Sequence, residues 1–305
     1  MKPTQRRTHR TVLAAVAAAL AITTVAACGD DKGKGPEVTE TVFVTGKQSN
    51  STSSAPVTSE APVTGSGADA LKKGFAAVKG TFGAPVGIAV APVGGGPVIT
   101  LGDQSPQVAW STIKVPLALA AERKNGPSAS ETAAIVNSDN AGAESLWASL
   151  GTPEEASAAV TAVLREGGDQ QSVVPSVRQR PEYTIFGQTV WTLKNAATFT
   201  SNLPCLPGSK RVVSLMGQVA GNQQWGVESI QGYTTAVKGG WGPSVQGGYV
   251  VRQLALLTQK NGKRTAITMS TYAPGATMDS GIAALNRAGA WLAKNVAKLP
   301  NGDCA

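Results

Sequence analysis

The chain has one histidine in 305 residues, and that histidine is His9. The rest of the sequence therefore excludes a Ser-His-Asp or Cys-His catalytic group and any histidine metal site. A serine nucleophile would need another base, and lysine can serve when burial lowers its pKa. We expect no metal ion and no cofactor.

Cysteine is also scarce, with three in the chain, and the first follows a typical export signal. Residues 1–27 have a basic head with four positive charges and no acid, then the apolar run "TVLAAVAAALAITTVAA". The segment ends in "VAAC", which resembles the bacterial lipoprotein box. We therefore predict a lipoprotein signal peptide at 1–27 and lipidation of Cys28. The alternatives are a plain secretory signal or an uncleaved anchor.

The other two cysteines, Cys205 and Cys304, are an even pair in an oxidising compartment. This count favours a disulfide between them, although two separate buried thiols remain an alternative. Residues 28–66, after the signal, are rich in Ser, Thr, Pro and Gly and have little to bury. We predict that they form a disordered tether carrying the lipidated Cys28, followed by one folded domain at 67–305.

Charge gives little support for a nucleic-acid partner. The formal charge of the whole chain is +8, and four of those charges lie in the predicted signal, which leaves +4. No basic cluster is present in the predicted domain. We therefore expect no nucleic-acid binding.

The pattern along 67–305 predicts an α/β fold of the α+β type. A helix at 68–80 precedes two strands, Val86–Ala91 and Val98–Leu101. A helical block follows from 112 to about 220, then three strands, and a final amphipathic helix covers 280–299. This order predicts an antiparallel five-stranded sheet with the terminal helices packed on it and an inserted all-helical lobe.

Three short motifs carry polar residues suited to chemistry: Ser111-Thr112-Ile113-Lys114, Ser138-Asp139-Asn140 and Lys238-Gly239-Gly240. Each has a simple structural explanation when taken alone. A serine before an apolar helix is an ordinary cap, Ser-Asp-Asn is a common helix start, and Lys-Gly-Gly is a flexible strand segment.

Together, the motifs resemble the S-x-x-K, S-D-N and K-T-G signatures of the penicillin-recognising serine enzymes, the class A β-lactamases and penicillin-binding proteins. They occur in the family's order, at the start of a helix after a hairpin, between two helices of the lobe, and on the first strand of the final meander. The resemblance covers nearly all of 68–300. It implies a serine β-lactamase-like fold and acyl-serine chemistry.

The resemblance assigns a role to each motif residue. Ser111 would attack an acyl carbonyl and Lys114 would accept its proton. Ser138 would pass that proton to the leaving group, and Asn140 would bind a substrate amide and orient Lys114. Lys238 would supply positive charge for Ser138 and for a substrate carboxylate. The implied oxyanion hole consists of the N–H groups of Ser111 and Trp241, and the implied substrate-binding strand includes Gly239 and Gly240.

The sequence departs from the family at two sites that bear on turnover. Gly239 replaces the Thr or Ser whose hydroxyl helps to hold the substrate carboxylate. The E-x-x-L-N stretch with which class A enzymes activate the deacylating water is missing. Glu166 and Glu182 lie in the right region of the chain and are the candidate deacylation bases, although neither matches that stretch. "FGQTVWT", 186–192, is a candidate for the edge of the cleft.

These inferences predict an extracytoplasmic lipoprotein, held on the outer face of the bacterial cell membrane by the lipid on Cys28. Its domain would be a serine acyl-hydrolase that acts on peptidoglycan D-alanyl peptides or on β-lactam-like small molecules, with slow deacylation. The alternative is a degenerate β-lactamase-like fold that serves as a ligand-binding or scaffolding module in the cell envelope.

Overall fold

The computed structural model describes residues 66–305. The predicted signal peptide, Cys28 and the predicted tether as far as residue 65 lie outside the described residues. No helix within 66–305 is long and apolar enough to cross a membrane.

Five antiparallel strands form the main sheet, as the sequence predicted. They are β1 (Val86–Pro92), β2 (Ile99–Gly102), β5 (Thr234–Pro243), β6 (Tyr249–Thr258) and β7 (Arg264–Ala273). The strand order β2-β1-β7-β6-β5 leaves β5 at one edge. A second, two-stranded sheet pairs β3 (Gln107–Val108) with β4 (Val190–Trp191). The sequence did not predict this pair, because two residues are too short to show an alternating pattern.

Eight α-helices accompany the sheets within the described residues. They are α1 (Ser66–Val78), α2 (Lys114–Asn125), α3 (Ala129–Val136), α4 (Asn140–Ser149), α5 (Pro153–Glu166), α6 (Leu193–Asn202), α7 (Lys210–Met216) and α8 (Met278–Asn295). The helical block predicted from residue 112 differs at its start, since Trp110–Ile113 form a 3₁₀ turn and α2 begins at Lys114. The predicted final helix ends at Asn295 and continues as a 3₁₀ turn.

The first and last helices cover one face of the main sheet. Phe75 of α1 and Leu285 and Leu292 of α8 share a buried core with Ile88 of β1. The other face supports α6, and the helices of the lobe form a separate core around α2. This is the predicted arrangement of terminal helices on a sheet with an inserted helical lobe.

The predicted disulfide between Cys205 and Cys304 is present. It joins the segment after α6 to the end of the chain across a sequence separation of 99 residues. In the chain-entropy model, closing a loop of that length stabilises the fold by up to about 4–5 kcal/mol. The bond therefore fixes the C-terminal residues beyond α8.

Candidate active site

Ser111 lies in the 3₁₀ turn that joins the small sheet to α2. The turn is fixed on the β3 side, because the Ala109 N–H donates to Thr189 O at 2.7 Å. Trp110, directly before the serine, has a φ of +47°, a left-handed conformation that costs a non-glycine residue on the order of 1–3 kcal/mol. Such strain persists where surrounding contacts enforce it, and here it falls on the residue directly before Ser111.

A buried arginine holds the small sheet against the main one. The Arg252 guanidinium on β6 donates from Nη1 to the carbonyl oxygens of Gln107, Val108 and Trp191, at 3.0–3.2 Å. It is fully buried, and burial lowers its pKa to about 9. Arg252 thus fixes β3, which leads into the serine turn, together with its partner strand β4.

The Lys114 side chain is buried and reaches the Ser-Asp-Asn segment. Its Nζ donates to Ser138 O at 2.7 Å, Asp139 O at 3.1 Å and Asn140 Oδ1 at 2.8 Å. The Asp139 carboxylate accepts from the Gly142 N–H at 2.6 Å and so caps α4, which fixes this segment. Among the hydrogen bonds of residues 66–305, none joins Lys114 Nζ to the Ser111 hydroxyl.

Burial lowers the pKa of Lys114 to about 8, against the opposing effect of the nearby Asp139 and Glu144 carboxylates. At pH 7 about one tenth of this lysine is therefore neutral. An ordinary lysine at that pH is neutral in less than about one molecule in a thousand. The site raises the supply of free amine by more than a hundredfold.

Lys238 on β5 contacts Ser138, the residue whose carbonyl oxygen also accepts from Lys114. Its Nζ donates to Ser138 Oγ at 2.9 Å, to Gln223 Oε1 at 2.5 Å and to Gly239 O at 2.9 Å. The side chain is fully buried, and burial, followed by the positive charge of Lys114, holds its pKa well below the usual range. Ser138 is thus bonded through its hydroxyl to one lysine and through its carbonyl to the other.

Trp241 lies on β5, the edge strand that packs against the turn carrying Ser111. On β5, the Gly239 N–H donates to the Gln223 side chain and Pro243 O accepts from Arg180, so the odd-numbered residues turn their polar groups away from β6. The backbone N–H and C=O groups of a strand point to opposite sides in alternate residues. Trp241 therefore has the same direction as Gly239 and Pro243, and its N–H points to the free edge of β5.

Gly240 explains how that edge comes so close to the serine turn. A Cβ at this position would lie 3.0 Å from Ser111 N and 2.9 Å from Ala109 O. Only glycine therefore allows β5 to approach the turn this closely. The Ser111 and Trp241 N–H groups therefore belong to neighbouring elements, and their role as an oxyanion hole stays a prediction.

A cavity of about 270 Å³ opens over these groups. Its lining includes Ser111, Ser138, Asn140, Trp241 and Glu182. The structure therefore brings together three of the motif residues, Trp241 of the implied oxyanion hole, and one of the two candidate glutamates.

The other candidate, Glu166, is not part of the cavity lining. It ends α5, where its carboxylate accepts from Arg123 Nη1 at 2.7 Å. Glu182 is an exposed residue on the loop before Phe186, at the cavity. The sequence could not separate the two, because each is an acid in an irregular region whose path depends on tertiary contacts.

Gly239 lies in the strand next to the cavity but offers no side chain. A Cβ at this position would lie 2.8 Å from the Trp225 ring and 3.2 Å from the Trp241 ring. The tryptophan rings occupy the space that a hydroxyl-bearing residue would need. Gly239, which stands where the family has Thr or Ser, is thus covered by tryptophan rings instead of carrying a hydroxyl.

Two glutamines organise the site: Gln188 lies in the stretch proposed above for the edge of the cleft, whereas sequence reasoning missed Gln223. Gln223, fully buried, holds Lys238 and donates to the carbonyl oxygens of Ile135 and Val136. Gln188, within the "FGQTVWT" stretch, is also buried and bonds to the main chain of Arg180, Tyr183 and Thr184. Gln188 therefore shapes the loop that carries Glu182. No local pattern in the sequence predicts the hydrogen bonds that Gln188 and Gln223 make.

Comparison with solved structures identifies the fold of the described residues. No family model and no curated protein matches the sequence. Among solved structures, the TLA-1 extended-spectrum β-lactamase is 16% identical, with a TM-score of 0.61 over 76% of this chain and 99% of that chain. A β-lactamase from Burkholderia vietnamiensis is 22% identical, with a TM-score of 0.57 over 74% and 96%. An ancestral class A β-lactamase is 19% identical, with a TM-score of 0.57 over 73% and 99%. The resemblance inferred from the three motifs is thus confirmed at the level of the fold, and the chain has the fold of the serine β-lactamases.

Proposed function

We propose that the domain is a serine acyl-hydrolase in which Ser111 is the nucleophile and Lys114 its base. The observation that carries this proposal is the buried Lys114 amine, held by Ser138 O, Asp139 O and Asn140 Oδ1 one turn from a serine at a cavity. A buried lysine with a pKa near 8 supplies the free amine that a serine nucleophile needs.

The proposed reaction gives a separate role to each of the polar groups around Ser111. Neutral Lys114 takes the proton as Ser111 Oγ attacks the acyl carbonyl, and the Ser111 and Trp241 N–H groups stabilise the oxyanion. Ser138, bonded to Lys238, passes a proton to the leaving group. Lys238 keeps the Ser138 hydroxyl oriented and offers it positive charge when protonated.

For the substrate class we propose D-alanyl peptides or β-lactam-like small molecules, with slow deacylation. The basis is the order and geometry of the three motifs on this fold, together with the cavity beside Ser111. The envelope of the cell is the place where such peptides occur. This agrees with the proposed lipoprotein signal at 1–27, the lipid on Cys28, the tether at 28–66 and the domain at 67–305.

The test is an acylation assay with intact-mass detection. The purified domain is incubated with benzylpenicillin and, separately, with a D-alanyl thioester, and the adduct is mapped by peptide mass. We expect one acyl group per molecule, on Ser111. An absence of adduct at millimolar acyl donor would contradict the enzyme and favour the alternative, a binding or scaffolding module of the envelope.

Anchoring is tested independently of catalysis. In a bacterial host, the wild-type protein is expected to fractionate with membranes, because acylation of Cys28 adds about 0.8 kcal/mol of membrane affinity for each buried CH₂ group. Cys28→Ser is expected to remain as the uncleaved precursor or to be released. A Cys28→Ser protein that is processed and membrane-bound like the wild type would rule out the lipoprotein proposal.

A further inference from the structure

The cavity beside Ser111 is unusually aromatic for this chain. The sequence contains six tryptophans, four tyrosines and five phenylalanines. Five of these residues line this one cavity, namely Trp110, Tyr183, Phe186, Trp241 and Tyr249. Such a concentration beside a nucleophile offers flat apolar surface to whatever group enters.

The aromatic wall is held in place before any ligand arrives. The rings of Trp110 and Tyr183 meet edge to face, with centroids 4.9 Å apart. The Arg180 guanidinium lies 4.3 Å from the Tyr183 ring centroid, and its Nη1 donates to Pro243 O at 2.9 Å. Arg180 therefore ties the Tyr183 loop to the end of β5. A wall fixed in this way loses little entropy when a ring packs against it.

The Trp110 ring is fixed from the opposite side as well. A Cβ at Gly242 would lie 2.5 Å from two atoms of this ring, so the indole packs directly on the β5 backbone. Arg180, Tyr183 and Trp110 thus form a continuous series of contacts from the loop to the strand. These three side chains bound the cavity on that side.

The same cavity has no free cation for a substrate carboxylate. Among the residues 66–305 that line it, none is Lys, Arg or His, and Glu182 is the acid. Lys238 uses its three donors on Ser138 Oγ, Gln223 Oε1 and Gly239 O. A carboxylate placed here would find no charge partner and would face Glu182.

The nearest arginine at the rim is also engaged. Arg180 donates to Pro243 O, stacks on Tyr183 and lies 3.9 Å from the Glu182 carboxylate. Gly239 adds no hydroxyl, because Trp225 fills that space. The polar groups left free around the cavity are neutral donors and acceptors together with one carboxylate.

From these observations we infer that the cavity selects uncharged acyl donors that carry a flat aromatic group, such as aromatic acyl esters and thioesters. The volume of about 270 Å³ agrees with this class. Cavities of roughly 150 Å³ admit benzene, so there is room for one ring and the reacting carbonyl, and the rest of a ligand can extend through the open side into solvent. The inference rests on the proposed acylation of Ser111 and ranks the substrates of that site: uncharged aromatic acyl donors are expected to react faster than D-alanyl peptides and β-lactams, which carry a carboxylate.

The reaction balances without a further reagent. Ser111 Oγ forms a bond to the thioester carbonyl carbon, the C–S bond breaks, and the serine proton leaves with the thiol. Water then attacks the acyl-serine ester, which releases the carboxylic acid and restores the hydroxyl. Only water is consumed.

The experiment compares three thioesters that differ in one feature each. Benzoylglycyl methyl thioglycolate has an aromatic acyl group and a neutral leaving group. Benzoylglycyl thioglycolate adds a carboxylate, and acetylglycyl methyl thioglycolate removes the ring. Thiol release is followed with a chromogenic disulfide reagent, and the rate with Ser111→Ala is subtracted.

We expect kcat/KM for the neutral benzoyl compound to exceed that of each of the other two by about 10- to 100-fold. Tyr183→Leu is expected to reduce the benzoyl-to-acetyl ratio several-fold. Tyr233→Leu, a matched change of a tyrosine that does not line the cavity, is expected to leave the ratio unchanged.

The outcomes separate this inference from the proposed function. Ser111-dependent release with equal or faster turnover of the carboxylate compound, or with no benzoyl preference, would overturn the inference and leave acylation standing. No release above Ser111→Ala from any of the three thioesters would overturn the inference, and the benzylpenicillin and D-alanyl thioester labelling would then decide the proposed function separately.

Discussion

Replacing Lys114 with methionine is expected to slow acylation of Ser111 by about 10³-fold. A positioned general base typically contributes 10²–10⁴-fold, and methionine fills a similar volume without an amine. The wild-type rate constant is expected to rise tenfold per pH unit below about pH 8 and to level off above it, because only the neutral amine can take the serine proton and its pKa is about 8. Lys114→Met is expected to lose this pH dependence.

The measurement is the rate of covalent labelling between pH 6 and pH 10, followed by intact mass. Lys124→Met is the matched control, since Lys124 also lies on α2 but donates to Leu150 O away from the cavity. Thermal unfolding must be recorded alongside, because Lys114→Met leaves the Ser138 and Asp139 carbonyls without this donor. A folded Lys114→Met protein with the wild-type rate and pH profile would show that Lys114 is not the base.

The second buried lysine provides the competing assignment. Lys238 is bonded to Ser138 Oγ and also has a lowered pKa, so it could accept a proton through that hydroxyl. If Lys238→Met removed the pH dependence and Lys114→Met kept it, the base would be Lys238. The two variants together therefore assign the base.

The sequence predicted the main sheet, its flanking helices and the three motifs, because each rests on local pattern. The Asn261-Gly262 turn marks the hairpin between β6 and β7, and Thr152 with Glu155 three residues later marks the start of α5, where the structure has a capping box. The disulfide followed from an even cysteine count.

The contacts that give the site its chemistry could not be predicted in this way. Gln223 meets Lys238 only because the 3₁₀ turn after α7 folds against β5, and nothing near Gln223 in the sequence signals it. The left-handed Trp110 and the Arg180–Tyr183 stack likewise depend on contacts between distant segments. Local periodicity carries no information on such contacts.

Deacylation is expected to be the slow step, so that an acyl donor which reacts leaves a long-lived adduct. Hydrolysis of the acyl-serine needs a water that is held and deprotonated on the open side of the ester. The E-x-x-L-N glutamate of class A enzymes is missing, and Glu166 is paired with Arg123 outside the cavity lining. Losing a positioned base slows a step by about 10²–10⁴-fold and raises its barrier by roughly 3–5 kcal/mol.

Glu182 is the carboxylate that could still contribute, and its surroundings explain why we expect little from it. Its side chain is 58% exposed and lies 3.9 Å from Arg180 Nε, so water and a cation compete for its oxygens. A water bound to an exposed carboxylate on a loop is not fixed relative to the ester. Glu182 can therefore attract water to the cavity without holding it in the attacking position.

The measurement mixes the purified domain with a chromogenic cephalosporin and follows absorbance beyond one equivalent. We expect a burst of at most one equivalent, followed by a rate about 10²–10⁴-fold below that of an enzyme with a positioned base. Glu166→Gln is expected to leave the slow rate unchanged, and Glu182→Gln is expected to lower it no more than a few-fold. Sustained turnover that Glu182→Gln abolishes would instead identify Glu182 as an effective base, because removing that carboxylate would then remove the only activated water at the ester.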